Sequence, residues 1–420
     1  MSSDRYVVRA GSPLSGTVQI SGMTKNAGLK QMAAALLAPG ETVIHNLTPV
    51  DDLGVMVSLL EAIGVEITPR AQDSLSLRVP DQLIPEAPYE LVSRMRASIN
   101  VLGPLLARSG RARVALPGGD NIGSRKLNLH FHGLEALGVE LRVEHGFIEA
   151  SCRSLNGARV VLEYPSVGAT ETIMTAAVLA KGETVIENAA REPEICDLVK
   201  FLNGMGAHIS GAGTSTLIIE GVSALVPAEH TIIGDRIEAG TLMMACAAAG
   251  GDITIKGISL SDLEMVGRKL GELGVTVTEV ADGIRTKRSE RLTACDVQTL
   301  PYPGFSTDFM PLIVAALATA DGTAIVTENI FEHRFAFVDE LHRMGADVRT
   351  EGRHAVVRGV ARLSGAPVRA FDVRAGAALV IAGLTADGET TVLDPHHAER
   401  GYADLAGKLR SVGADVERLT

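Results

Sequence analysis

Lys25, Arg96, Arg236 and Arg374 stand at or beside the openings of otherwise apolar, Ala-rich runs: TKNAG (24–28), RMRAS (94–98), DRIEAG (235–240) and DVRAG (372–376). Two more openings of the same kind, PSVGAT (165–170) and FSTDF (305–309), are polar without a cation. A charge at the start of an apolar helix is costly unless it caps the helix or binds something. Helix N-termini offer unpaired N–H groups and the positive end of the dipole, which suit an anion. The set therefore predicts a binding surface for a polyanionic substrate. The competing reading is structural, with Asp and Ser as N-caps and the arginines paired to them.

A long polar loop, LPGGDNIGSRKLNLH (116–130), holds Asp120 among glycines, together with Arg125. It reads either as a lid carrying a general acid or as a surface turn, since Gly-Gly-Asp-Asn is good turn chemistry. His396-His397 reads as solvated loop, because neither HExxH nor a His/Cys cluster with ligand spacing accompanies it. There is no P-loop, and no GxGxxG lies between a strand and a helix. ISGAGTST (209–216) reads as a hairpin turn. Nucleotide triphosphate chemistry of the common kinds is therefore not expected.

The elements that must position these residues repeat. A glycine after an apolar residue recurs at Gly64, Gly138, Gly206, Gly274, Gly345 and Gly413. A second, closing each Ala-rich run, recurs at Gly40, Gly110, Gly182, Gly251, Gly322 and Gly388. Both series step by about 70 residues, and 420/70 = 6. Each unit reads as a buried helix ending at the second glycine as a C-cap, a strand such as ETVIHNL (41–47), an amphipathic helix ending at the first glycine, and alternating strands such as VEITPR (65–70). Counting back 1, 4, 8 and 11 residues from the first glycine gives the core-facing positions, and only His130 and Arg334 among them are not apolar. His130 reads as a core histidine and Arg334 as lining a site. Exactly one slot per unit, fourteen residues before the second glycine, opens the buried helix: Asn26, Arg96, Gly168, Ile237, Asp308 and Arg374.

The fold class is α/β, with three units per domain and a boundary near 228–233. The chain has 39 Lys+Arg against 50 Asp+Glu, a net charge of −11, with 46% apolar residues, 3% aromatics and no Trp. That composition excludes disorder and non-specific nucleic-acid binding. No apolar stretch reaches the roughly 18–20 residues that span a bilayer, and MSSDRYVVRAG (1–11) lacks a signal pattern. Four cysteines without a CxxC pair fit a reducing cytoplasm.

On KNAGL (25–29), MRAS…LGPL (95–105), LPGGDNIGSR (116–125), SVGAT (166–170), ENAAREPEI (187–195), DRIEAGT (235–241), TDF (307–309), FEHRF (331–335), VRAGAALV (373–380) and ERGY (399–402), the chain resembles the enolpyruvyl transferases over essentially its whole length. The resemblance implies two inside-out α/β domains, each of three βαβαββ-type repeats. The expected domains are 23–232, carrying the loop 116–125, and 1–22 plus 233–420. It implies transfer of the enolpyruvyl group of phosphoenolpyruvate to the 3-hydroxyl of UDP-N-acetylglucosamine with release of phosphate, the first committed step of peptidoglycan synthesis, with no metal and no organic cofactor required. Matched position by position, Lys25, Arg96 and Arg125 would face the phosphate of phosphoenolpyruvate, and Arg334, Arg374 and Arg400 its carboxylate. Asn26, Asp308 and Ile330 would hold the nucleotide-sugar, with Asp308 as base. Ser166, Val167 and Gly168 would bind the diphosphate. Asp120 stands where many members have a cysteine alkylated by fosfomycin, so insensitivity is expected. SGMTKNA (21–27) has one residue more than the usual SGAKNA, RKLNLH (125–130) replaces RPVDLH, and FSTD (305–308) replaces FPTD. These departures leave open another uridine nucleotide as acceptor, and a non-catalytic nucleotide-sugar binder is the third reading.

Overall fold

The structure, a computed structural model, describes residues 4–420. The first three residues of the N-terminal stretch lie outside the described residues. Contacts divide the chain into two compact units. One comprises Gly22–Asp120 and Arg125–Ile233, and is called here the first unit. The second comprises Met1–Ser21, Asn121–Ser124 and Gly234–Thr420.

Each unit holds three buried helices. In the first they are Leu29–Ala35, Leu102–Ser109 and Val167–Ala177. In the second they are Arg236–Ala249, Met310–Leu317 and Val373–Gly383. The cause is compositional: runs such as LMMACAAA and AALVIAG show no polar face, so water is excluded on all sides. Val373–Gly383 is buried at every residue. The amphipathic helices are Asp51–Ile63, Asn128–Ala136, Pro193–Gly204, Glu264–Glu272, Val338–Arg343 and Leu405–Ser411. Of the core-facing positions counted back from their glycines, all but Leu53 and Leu127 are buried, including His130 and Arg334.

Six four-stranded sheets complete the repeats. In the third repeat, Arg159–Val161 runs parallel to Glu183–Glu187, which pairs antiparallel with Thr216–Glu220, which pairs with His208–Ser210. The turn expected at 209–216 lies in the hairpin of these last two strands and is shorter, 211–215, because Ile209, Ser210 and Thr216 belong to the strands. The chain ends close each unit. Glu229–Thr231, the last strand of the first unit, returns to lie parallel to Gly40–His45 of the first repeat. In the second unit, Arg5–Arg9 sits between Glu389–Leu393 and Asp415–Leu419, while Leu14–Gln19 runs parallel to Gly251–Lys256. Parallel edge strands therefore come from the neighbouring repeat, and no repeat is complete alone.

Two expectations need correction. The glycine after each Ala-rich run is a helix C-cap only at Gly110. Elsewhere the helix stops earlier. Gly40, for example, lies beyond the C-cap Leu36 and opens the strand Gly40–His45. All six of these glycines have positive φ, because the chain must turn sharply from buried helix to sheet, and that left-handed turn is what the recurring glycine serves. His396 and His397 are not loop. They begin the four-residue helix His396–Glu399, whose N–H groups at Glu399 and Arg400 bond back to Pro395 and His396.

Helix layers packed this closely require small residues where backbones meet. A Cβ on Gly103 would lie 2.3 Å from Thr175 Oγ1 and 2.6 Å from Thr172 O, so the helices Leu102–Ser109 and Val167–Ala177 approach to backbone contact there. Gly103→Ala is expected to destabilise the first unit by about 1–3 kcal/mol, read as a lower urea midpoint with an unchanged m-value. An unshifted midpoint would refute the close approach.

Candidate active site

The first unit gathers its polar residues at the starts of its three buried helices. Lys25 and Asn26 lie in a π-helical turn, Thr24–Gly28, that leads directly into Leu29–Ala35. Gly28 N–H reaches back five residues to Met23 O at 3.1 Å, while Ala27 N–H reaches the same oxygen at 2.9 Å. A π-turn is how a helix absorbs one additional residue, and such turns concentrate at functional sites. It gives a physical account of the extra residue in SGMTKNA. Lys25 Nζ pairs with the buried carboxylate of Asp52.

Arg96 opens a 3-10 turn, Arg96–Val101, that continues into Leu102–Ser109. Its guanidinium donates to the main-chain oxygen of Arg125. Burial, and the like charge of Arg125, lower its pKa to about 10. The like charge of Arg125 disfavours the charge on Arg96, and an anion near both would relieve that. Ser166 caps the third helix by accepting from Ala169 N–H at 3.3 Å, and Val167 and Gly168 form its half-buried first turn. Asp120 lies half-buried in the irregular stretch between Arg111–Ala115 and Asn128–Ala136. Lys126 and Asn128 are exposed.

One network joins the three helices just behind these starts. Lys30 Nζ donates to Glu171 Oε2 at 2.9 Å, and Asn100 Nδ2 donates to the same oxygen at 3.1 Å. Each residue comes from a different buried helix or its leading turn. Burial raises the Glu171 pKa against the opposing pull of Lys30. Sequence reading missed this network, since each member alone looks like one polar residue in an apolar run.

In the second unit, Asp308 (on the turn Thr307–Phe309), Arg334 and Arg374 (second residue of Val373–Gly383) meet. Arg334 Nη2 donates to Asp308 Oδ1 at 2.9 Å, and Arg374 Nη2 approaches Asp308 Oδ2 at 3.4 Å. Both arginines are 4% exposed. Burial alone would raise the Asp308 pKa, but Arg374 and Arg334 outweigh it and hold the carboxyl well below the ordinary carboxylate range. Burial also works against the charge on Arg374, and Tyr402, Asp308 and Asp235 overcome it. Tyr402 lies 5.2 Å beneath that guanidinium, its hydroxyl 2.8 Å from Thr241 Oγ1. Arg334 Nε and Arg374 Nη1 are buried without a hydrogen-bond partner among the described residues. Two cations against one carboxylate, with donors to spare, make a receptor for a further carboxylate. Arg400 follows the helix His396–Glu399, two residues before Tyr402, and Ile330 follows the strand Thr323–Thr327.

The structural reading of the helix openings holds at three of them. Asp235 and Asp372 cap their helices, each accepting from two backbone N–H groups, and Ser306 caps the turn that carries Asp308. Yet Arg334 and Arg374 converge on Asp308, which caps nothing. Burial, then the neighbouring Glu238, pushes the Asp235 pKa up to about 6. Among the described residues no group of three or more His, Cys, Asp or Glu could hold a metal ion.

His130 is a core histidine, 5% exposed, sharing a hydrogen bond with Thr172 Oγ1 at 3.0 Å. Burial, with Arg96 and Lys30 nearby, lowers its pKa to about 3. A folded-state pKa below the ordinary 6.5 means stability present above pH 6.5 and lost as pH falls toward 3. His130→Gln is therefore expected to flatten the decline in melting temperature between pH 6.5 and 4. Parallel curves for the two proteins would contradict a neutral buried ring.

The sequence matches the family described as EPSP synthase (3-phosphoshikimate 1-carboxyvinyltransferase) over residues 8–409. It is 49% identical over 416 residues to UDP-N-acetylglucosamine 1-carboxyvinyltransferase from Corynebacterium jeikeium, covering 99% of each chain. Proteins of the same name from Nocardia farcinica and Mycobacterium tuberculosis are 50% and 48% identical over 422 and 417 residues, again covering 99% of each chain. Among solved structures, the enolpyruvyl transferase NikO from Streptomyces tendae superposes with a TM-score of 0.89 at 26% identity, covering 99% of both chains. EPSP synthase from Acinetobacter baumannii superposes with a TM-score of 0.74 at 16% identity, over 100% of both, which shows the fold in common.

Proposed function

This chain belongs to the EPSP synthase family of enolpyruvyl transferases, and from that premise we propose that it transfers the enolpyruvyl group of phosphoenolpyruvate to the 3-hydroxyl of UDP-N-acetylglucosamine, releasing phosphate, as the first committed step of peptidoglycan synthesis. The observation that carries the reading is the arrangement in the second unit, where two buried arginines with unpaired donors face a single carboxylate. The acceptor is taken from relatives about half identical over the whole length. Lys126 and Asn128 are exposed side chains, and nothing in their surroundings favours a different uridine nucleotide. We also place the reaction in the cytoplasm. Among the described residues no helix is long and apolar enough to cross a membrane.

The roles follow from charge and geometry. Arg334, Arg374 and Arg400 take the carboxylate of phosphoenolpyruvate. Lys25, Arg96 and Arg125 take its phosphate, which relieves the Arg96–Arg125 repulsion. The helix start Ser166–Gly168 takes the diphosphate of the acceptor through backbone N–H groups and the dipole. Asn26 and Ile330 hold the nucleotide-sugar. Asp308 is the base toward the 3-hydroxyl. With both arginines on it, its carboxylate is a weak base. A bound substrate carboxylate competes for the same guanidiniums and lets the Asp308 pKa rise, so the base is strengthened when the substrate is in place. As the oxygen adds to C2, Asp120 protonates C3. Asp120, now a carboxylate, takes a proton back from C3 while phosphate leaves the tetrahedral ketal with the proton that Asp308 accepted, and the double bond is restored.

Phosphate release from phosphoenolpyruvate is expected only when UDP-N-acetylglucosamine is present. Release with other uridine nucleotides alone would displace the acceptor, and no release with any would exclude catalysis. A carboxylate is a poorer nucleophile toward an epoxide than a thiolate. The protein is therefore expected to stay active in fosfomycin and gain no mass. Asp120→Cys should become sensitive and carry a covalent adduct by mass spectrometry, whereas Asp120→Ala should lose activity by about 100-fold or more. Full activity of Asp120→Ala would remove Asp120 from the mechanism.

A further inference from the structure

Glu328 is 1% exposed at the end of the strand Thr323–Thr327. In the first and third repeats the strand after the turn glycine runs into an asparagine six residues on, since 46 − 40 = 6 and 188 − 182 = 6. Asn46 and Asn188 both have left-handed φ, and their amides donate to Ile232 O at 3.0 Å and Leu162 O at 2.9 Å, on the neighbouring crossing segment. In the fifth repeat that place, 328 − 322 = 6, is taken by Glu328, and the bond to the neighbouring segment is made by the next residue, from Asn329 Nδ2 to Thr299 O at 3.0 Å.

Its carboxylate is fully used. Oε1 accepts from Thr299 Oγ1 at 2.9 Å, from Ile330 N–H at 2.7 Å and from Phe331 N–H at 3.0 Å. Oε2 accepts from Thr307 Oγ1 at 2.8 Å. A hydroxyl has one proton. Having given it to Glu328, Thr307 can offer only a lone pair to its other neighbour, Arg334 Nη1 at 3.3 Å. Arg334 in turn donates through Nη2 to Asp308. Glu328 therefore turns the Thr307 proton away from Arg334, and Arg334, which can only donate, meets a lone pair at Thr307 and a carboxylate at Asp308.

We propose that Glu328 is a positioning residue for the reaction: it fixes the Thr307 hydroxyl as an acceptor, so that Arg334 is aimed at Asp308 and at the substrate carboxylate, and it holds the turn that presents Ile330. The proposal rests on the reading of Arg334 as a carboxylate-binding residue. It makes an isosteric change damaging. In Glu328→Gln, an amide NH2 on the Thr307 side turns the hydroxyl proton toward Arg334, donor against donor. An NH2 on the other side faces the N–H groups of Ile330 and Phe331. Neither orientation is satisfied.

The test compares Glu328→Gln, Thr307→Val, Thr307→Ser, the double variant Glu328→Gln/Thr307→Val, and Arg334→Ala, in steady-state kinetics with both substrates and in thermal melts. Glu328→Gln and Thr307→Val are each expected to raise KM for phosphoenolpyruvate by about tenfold or more. Thr307→Ser, which keeps the hydroxyl, should stay within about twofold of the parent, and the double variant should be little worse than either single one, because both act through one relay. A drop in melting temperature with unchanged KM in the folded Glu328→Gln protein, or strictly additive losses, would reduce Glu328 to a structural residue and overturn the proposal. If Glu328→Gln fails to fold, Thr307→Val against Thr307→Ser decides alone. Should Arg334→Ala leave KM unchanged, the carboxylate-binding reading falls and the relay with it. An altered Arg334→Ala beside an unaltered Glu328→Gln overturns the relay only.

Discussion

Arg334 and Arg374 are both buried against the one carboxylate of Asp308, and that surplus of positive charge is the constraint from which the second unit is understood. Burying a cation is tolerated only where partners hold it. Here Asp308 serves both arginines, Tyr402 underlies one and Thr307 accepts from the other. What remains, an N–H on each guanidinium with no acceptor, is a standing preference for an anion of the right shape. The first unit reaches a similar preference differently. It sets Arg96 beside Arg125 with burial against the charge on Arg96, and it keeps the acids Asp52 and Glu171 on Lys25 and Lys30. One unit is poised by incomplete pairing, the other by repulsion.

The inside-out arrangement makes such sites possible. Helices without a polar face must be enclosed, so the sheets and amphipathic helices go outside. Enclosure removes every position for a charge along the helix except its ends, where backbone N–H groups are also unpaired. Polar chemistry is thus forced to the helix openings by the same composition that buries the helices. This is why a slot fourteen residues ahead of a turn glycine finds Asn26, Arg96, Gly168, Asp308 and Arg374, and Ile237 alone is apolar there. It is also why the single-residue exceptions to the apolar register were informative. Arg334, in the turn ahead of Val338–Arg343, breaks the register and pairs with Asp308, whereas His130 breaks it while remaining a neutral core residue bonded to Thr172.

Other parts were not legible. The recurring glycine in the Ala-rich runs looks like a helix cap from spacing alone, but a glycine needed for a left-handed turn into a strand leaves the same trace. The Lys30–Glu171–Asn100 network joins residues about 70 apart, and nothing local marks them as partners. Glu328 reads as one more polar residue at a strand end. Only its four accepted bonds reveal why it is buried.

Two of these features share one physical logic. A six-fold repeat fixes register: shifting any element by one residue would turn a buried face outward along everything that follows. A site, however, needs side chains where the repeat does not put them. The π-turn Thr24–Gly28 and the strand-end residue Glu328 both resolve this conflict locally. In the first, the i to i+5 bond of Gly28 to Met23 loops out one residue before Leu29–Ala35 resumes its ordinary helix. In the second, a carboxylate takes the place six residues after the turn glycine, and Asn329 makes the asparagine bond to the neighbouring segment from the next residue. Each change sits at the boundary between an element and its connection, where backbone bonding is least cooperative and the disturbance ends soonest. The one carries Lys25 and Asn26, and the other bonds to the Thr307–Arg334–Asp308 chain.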